Sequence, residues 1–168
     1  MIKPTLLVLV ALLALASACA SEPQNTPAPI PELTPTLGKT AGGGCLANTP
    51  ERIQPSTLVK KVTMAEGVQG SNEPRNPTAI FAPNSPFFAI LGIESAPAKT
   101  KFKAVWYATD TKGVAPCNAR IGDSEQEAEG VANIVFTTKP EGAWAAGAYR
   151  VELFVNNTLS HIVNFVVR

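Results

Sequence analysis

Two runs of strict alternation near the C-terminus constrain this chain more than any other feature. From Tyr149 onward, Tyr149, Val151, Leu153 and Val155 fall on one face of an extended chain, with Arg150 and Glu152 on the other. After Asn156-Asn157-Thr158 the alternation resumes, with Leu159, His161, Val163, Phe165 and Val167 on one face and Ser160, Asn164 and Arg168 opposite. A period of two, rich in β-branched and aromatic residues on either side of an Asn-rich turn, predicts a β-hairpin. A lone hairpin is marginal in water, so this one is expected to be the last pair of a larger sheet.

Upstream the same pattern repeats in shorter pieces. Residues 58–64 read as a first strand, whose Lys60 and Lys61 break alternation and suit an edge. Residues 66–77 read as a polar loop. Residues 78–82 and 87–93 are apolar runs separated by the turn Pro83-Asn84-Ser85-Pro86. The clearest interior strand is 100–109, where Phe102, Ala104 and Trp106 face one way and Lys101 and Lys103 the other. Asp110-Thr111-Lys112-Gly113 turns the chain, 117–121 reads as a short strand, 122–130 as a polar loop, and 131–138 as another strand with Ala132, Ile134 and Phe136 in register. No helical stripe of useful length occurs. Seven or so short strands, turn signals about every ten residues and a tryptophan in a mid-chain strand predict an all-β protein, an antiparallel β-sandwich of the immunoglobulin-like kind; a small barrel is the alternative.

The segment Trp144-Ala145-Ala146-Gly147-Ala148-Tyr149-Arg150-Val151, with the closing Phe165-Val166-Val167, resembles the end of bacterial immunoglobulin-like and fibronectin-type modules. In those modules a Trp-x-x-Gly-x-Tyr-x-Val string opens the penultimate strand and the last strand ends in Phe-x-Val. The resemblance covers the last fifth of the chain. It implies structural roles for Trp106, Trp144, Gly147, Tyr149 and Phe165, with Gly147 allowing a backbone arrangement that a β-carbon would forbid and Tyr149 tying its strand to nearby backbone.

The N-terminus is of another kind. One positive charge at Lys3 precedes an apolar run over 6–16, too short to span a bilayer and laid out like a secretory signal. Ala16-Ser17-Ala18-Cys19 resembles the cleavage box of bacterial lipoproteins, with Ala16 where that family prefers leucine. The resemblance implies that residues 1–18 are removed and that Cys19 becomes the lipidated first residue. Several acyl chains, at about 0.8 kcal/mol per buried methylene, make stable anchoring to a membrane. Mature position two is Ala20 and not aspartate, which resembles the pattern of proteins sent to an outer membrane where one exists. Over 19–44 the composition shifts to Pro, Thr, Ala, Glu and Gly, with Pro23, Pro27, Pro29, Pro31 and Pro35 in succession. Such a segment favours extended, solvated chain and reads as a tether, leaving 45–168 as one domain.

Three cysteines occur in all. With Cys19 taken by lipid, Cys45 and Cys117 form an even pair in an exported domain, and a disulfide between them is expected. Neither stands where the antibody pattern would place it around Trp106. The single histidine, His161, lacks the elbow of a serine hydrolase or the helix of a zinc protease. The acidic run 123–129, with Asp123, Glu125, Glu127 and Glu129, is the one charge cluster and a weak calcium candidate without the glycine-turned loop of known calcium sites. No other metal and no cofactor is implied. A net charge of +1 with signs interspersed gives no basic stripe for nucleic acid.

The function expected from these features is that of a lipid-anchored, non-enzymatic cell-envelope protein. Its domain would bind or position an envelope or extracellular partner through loops at 66–77, 83–86, 110–116 or 122–130. The alternatives are a small envelope enzyme or protease inhibitor, and a purely structural spacer.

Overall fold

The computed structural model describes Gly44, Cys45 and residues 52–168. The signal, Cys19 and most of the tether lie outside these residues. Seven strands follow in order: β1 (Val59–Gln69), β2 (Glu73–Pro77), β3 (Ile80–Phe81), β4 (Phe87–Asp110), β5 (Ala119–Thr138), β6 (Gly147–Val155) and β7 (Thr158–Val167). Hydrogen bonding is continuous through the order β2-β1-β4-β6-β7-β3, with β5 on the remaining side of β4.

One continuous ladder nevertheless makes two layers, because β4 and β5 turn a corner together. Up to Ile93, β4 pairs with β1 on one side and with β5 from Ala132 to Thr138 on the other. From Thr100 it pairs with the beginning of β5 and with β6. Between these halves the register shifts at Ile93/Ala96 and at Ala96/Thr100. Ser95 and Lys99 take positive φ there, the mark of bulges that bend a strand, and Gly130 at φ 69 serves the same corner in β5. The layers close face to face as an immunoglobulin-like β-sandwich.

Alternation decides what each layer contributes to the core. Phe87, Ala89, Leu91, Ile93, Ile134 and Phe136 point inward from the first layer. From the second come Phe102, Ala104, Trp106 and Ala108 on β4, Tyr149, Val151, Leu153 and Val155 on β6, and Phe165 and Val167 on β7. Phe87 lies at the hub, its ring centroid 5.0 Å from Phe81, 4.7 Å from Phe165 and 5.6 Å from Tyr149 in edge-on contacts, and stacked on Trp144 at 4.5 Å. Such pairs add to the hydrophobic term, which for each large buried side chain is about 1.5–3 kcal/mol.

The structure corrects several sequence expectations. The two strands 87–93 and 100–109 are one, since the intervening residues stay in the ladder around the corner. The polar loop expected at 122–130 is strand: β5 runs unbroken from Ala119, and Cys117 and Asn118 form the turn before it. Its carboxylates lie along an exposed sheet margin facing the lysines of β4, so polarity there signals solvent and not the end of pairing. The loop expected at 66–77 is the hairpin of β1 and β2, in which Gly67 pairs with Arg75 and Gln69 with Glu73. Only 65–69 of β1 pair with β2, so the stretch 59–63 has β4 as its one ladder neighbour among the described residues and forms an edge, as Lys60 and Lys61 suggested. The antiparallel expectation fails at one place, where the two-residue β3 runs parallel to the end of β7.

Candidate functional site

The topology decides which loops share an end. Phe87 pairs with Thr138, Asp110 with Ala148 and Gly147 with Val167, so the 83–86 turn, the 111–118 loop and the 139–146 loop gather at one end of the sandwich. At the other end lie the corners near 94–99 and 128–130 and the Asn156-Asn157 turn, joined where Lys101 N donates to Asn156 Oδ1 and Asn156 N donates to Lys101 O. Of the four loops expected to recognise a partner, those at 83–86 and 110–116 share the first end. The other two are strands.

The first end is fastened by the disulfide between Cys45 and Cys117, whose Cα atoms are 5.4 Å apart. Cys45 N donates to Asp110 Oδ2 at 3.2 Å, and Thr111 Oγ1 accepts from Ala115 N at 2.8 Å to hold the loop that carries Cys117. Beside it the 139–146 loop is pinned by Trp144, which donates from its backbone to Pro83 O and from Nε1 to Ser85 O, both at 2.8 Å. Gly147 follows at a close approach: a β-carbon there would lie 2.2 Å from Asp110 O. Tyr149 donates its hydroxyl to Ala145 O at 2.6 Å, tying the start of β6 to the loop before it, and burial pushes its phenol above the ordinary range. Tyr149→Phe, which keeps the ring and deletes that bond, is expected to cost about 1 kcal/mol in urea unfolding. An unchanged midpoint would assign the hydroxyl no part in stability.

His161 lies at a bulge between β6 and β7, opposite Leu153. Ser160 Oγ, fully buried, accepts from Ser56 N at 2.9 Å and reaches His161 Nδ1 at 2.8 Å. This is a fold contact joining 52–58 to β7, and a serine so enclosed offers no nucleophile to a substrate. Burial lowers the His161 pKa below its ordinary 6.5. The unfolded chain therefore takes up the proton first as pH falls through that value, so this residue's contribution is intact above about pH 6.5 and is lost below it. His161→Gln is expected to lose less melting temperature than the wild type between about pH 7.5 and about pH 5.5; an equal loss would show that His161 plays no part.

Three further groupings occupy the outside of the layers. On the second layer Arg150 and Glu152 are buried although they face away from the core. Arg150 Nε donates to Glu152 Oε1 at 2.8 Å, Nη1 donates to Asn118 Oδ1, and the guanidinium stands 4.3 Å from the Tyr107 ring centroid. Burial, then the Glu152 charge, raises the Tyr107 pKa. The group ties β4 and β6 to the turn that carries Cys117. Nothing in the sequence reading pointed to it, although an Arg and a Glu two apart within an otherwise apolar strand were its visible signal. Along β5, Asp123, Glu125, Glu127 and Glu129 share one extended strand. Glu125 pairs with Lys101 at 3.5 Å, Asp123 with Lys103 at 4.0 Å, and Arg120 also bonds Asp123. Among the described residues no group of three or more His, Cys, Asp or Glu is placed to hold a metal ion.

On the first layer the β1–β2 turn crosses the outside of β4. β1 and β5 flank β4 on opposite sides, yet Asn72 Nδ2 donates to Asn133 O at 3.2 Å and Asn133 Nδ2 donates to Glu73 Oε1 at 2.8 Å. Beneath the turn lies an open cleft of about 580 Å³ with Gly92 at its floor and Lys60, Glu73, Glu94 and Val131 around it. An open, mostly apolar groove of about 490 Å³ beside Gly147 and Val167 lies at the disulfide end. Neither brings a nucleophile and a base together.

No family model matches the chain, and no curated protein matches it. Among solved structures it is similar to an immunoglobulin-like protein from Pseudomonas aeruginosa, with 16% identity and a TM-score of 0.44 over 66% of this chain and 94% of the other. The sandwich assignment rests on the pairing and packing described above.

Proposed function

We propose that the chain is an exported, lipid-anchored, non-enzymatic envelope protein, whose single immunoglobulin-like domain binds or positions a protein partner on the far side of the tether. The observation that carries this reading is the Cys45–Cys117 disulfide. Disulfides persist in oxidising compartments, so the bond agrees with the export signal read at 1–18 and the lipid site read at Cys19. A Pro-rich tether over 19–44 that ends on a disulfide-fastened sandwich suits a domain held at a distance from a membrane. The binding reading is supported by the filled core and by the enclosure of Ser160 against the one histidine, which leave recognition surface where an enzyme would need a reactive cleft.

The mature chain, residues 19–168, immobilised and exposed to envelope extract of its own organism, is expected to retain one envelope protein that is lost when an exposed end loop is altered. Retention of nothing above an unrelated sandwich domain would contradict partner binding and favour the spacer.

A further inference from the structure

A sheet edge left open is a template for another strand, and proteins blunt their edges with charge, proline or covering chain. Among the described residues every long edge but one is treated in this way. β2 carries Pro74 and Pro77 with the charges of Glu73 and Arg75, and the edge part of β1 carries Lys60 and Lys61. The outer side of β7 is met by Gln54 at Leu159 O and by β3. β5 pairs with β4 alone. Its first part bears the alternating carboxylates from Asp123 to Glu129, whereas 131–138 has no charge, no proline and no glycine and is mostly β-branched.

The ladder decides which peptide groups of that stretch face away from β4. Thr78 N takes Met64 O on the β2 side of β1, so Ala89, opposite Met64, bonds toward β5, where it meets Phe136. Ile134 and Phe136 therefore bond β4, and Val131, Asn133, Val135 and Thr137 turn their N–H and C=O groups outward. Two of those carbonyls are met by side chains, Asn133 O by Asn72 Nδ2 at 3.2 Å and Val135 O by Gln126 Nε2 at 2.9 Å. The outward N–H groups have no partner among the described residues.

We infer that 131–138 is a homodimer edge, whose occupant is the same stretch of a second copy of this chain, added antiparallel about a two-fold axis at Ile134. Centred there, Val131 lies opposite the second copy's Thr137 and Asn133 opposite its Val135, so every outward residue exchanges bonds in both directions. Self-pairing over the first part of β5 would set carboxylate against carboxylate. At 131–138 the flanking charges agree instead. Lys139, just past the stretch, falls opposite the second copy's Glu129, just before it, and the symmetry makes this contact twice. Both residues are exposed, and neither has an ion pair among the described residues. Val131, 79% exposed, gains a neighbour on its open side. Gln126 holds the edge partly closed, since its amide must leave Val135 O for water as the second strand arrives. So short an edge also buries less than the roughly 1,600 Å² of a standard interface, and a weak dimer with a dissociation constant of about 10–100 μM is expected. This goes beyond the envelope partner proposed above and needs neither that partner nor lipid at Cys19.

The test is sedimentation of the mature chain, residues 19–168 with Cys19→Ser to exclude lipid and an intermolecular disulfide, from about 10 μM to about 1 mM. A monomer–dimer equilibrium is expected. Glu129→Lys or Lys139→Glu alone sets like charges together on both sides of the axis and is expected to weaken the dimer about fivefold, while the two together restore it, because the pair is then reversed and not lost. Gln126→Ala uncovers Val135 O and is expected to tighten the dimer about fivefold. All three positions are exposed, so the variants keep the fold. Monomer alone at about 1 mM, a dimer indifferent to the single charge variants, a double variant no tighter than either single one, or no tightening by Gln126→Ala would each overturn the inference.

Discussion

Phe87→Ala is expected to cost about 3–5 kcal/mol of folding free energy, the range for truncating a buried aromatic that leaves a cavity. The reason for placing it at this limit is the number of rings that share the void. Phe81, Phe165 and Tyr149 meet Phe87 edge-on, and Trp144 stacks on it. They come from β3, β7, β6 and the 139–146 loop, and their own anchors, such as Trp144 Nε1 on Ser85 O, keep them from collapsing inward. A single domain of this size is stable by about 5–15 kcal/mol, so the substitution would remove a large part of the total. Urea unfolding followed by tryptophan fluorescence measures it, and a loss below about 1 kcal/mol would show that Phe87 is not the hub of the core.

The second large effect belongs to the disulfide. Cys45 and Cys117 are 72 residues apart in sequence, and in the chain-entropy account closing a loop of that length stabilises by about 4 kcal/mol. Cys45→Ser with Cys117→Ser is expected to lose that amount, while the 52–168 contacts keep the sandwich pairing. Much of the cost arises in the unfolded chain, which the bond no longer restrains, so the double variant should resemble the wild type held in a reductant. A double variant as stable as the oxidised wild type would mean that the bond constrains nothing that matters to folding. Together with the Phe87 result, this separates stability built by packing from stability built by a cross-link.

What could be read in the sequence was whatever depended on alternation. Trp106 with Phe102 and Ala104, Ile134 with Phe136, and the Tyr149 to Val155 row all point inward as their spacing predicts, because a buried face leaves a strand one workable register. The disulfide could be anticipated from an even pair in a chain whose N-terminus reads as an export signal. Three things could not. The acidic stretch of β5 has the composition of a loop, and only the opposed lysines Lys101 and Lys103, far away in sequence, make it a strand. The corner in β4 requires knowing that Ser95 and Lys99 take positive φ, which neither side chain announces. The sharing of ends among loops is a property of long-range pairing, such as Phe87 with Thr138, and has no local signature. Arg150 and Glu152 were placed on the face opposite the apolar row, but nothing in the spacing showed that they are buried there, where Tyr107 of the neighbouring strand covers the guanidinium.

The central claim, an exported chain held to a membrane by lipid at Cys19, is tested most directly by the mass of the mature N-terminus purified from its own organism. The account predicts that residues 1–18 are absent and that the first residue, Cys19, carries lipid on its sulfur and amine. A mature chain beginning with an unmodified Cys19, or cut after Ala20, would contradict it and leave a freely secreted sandwich domain in its place.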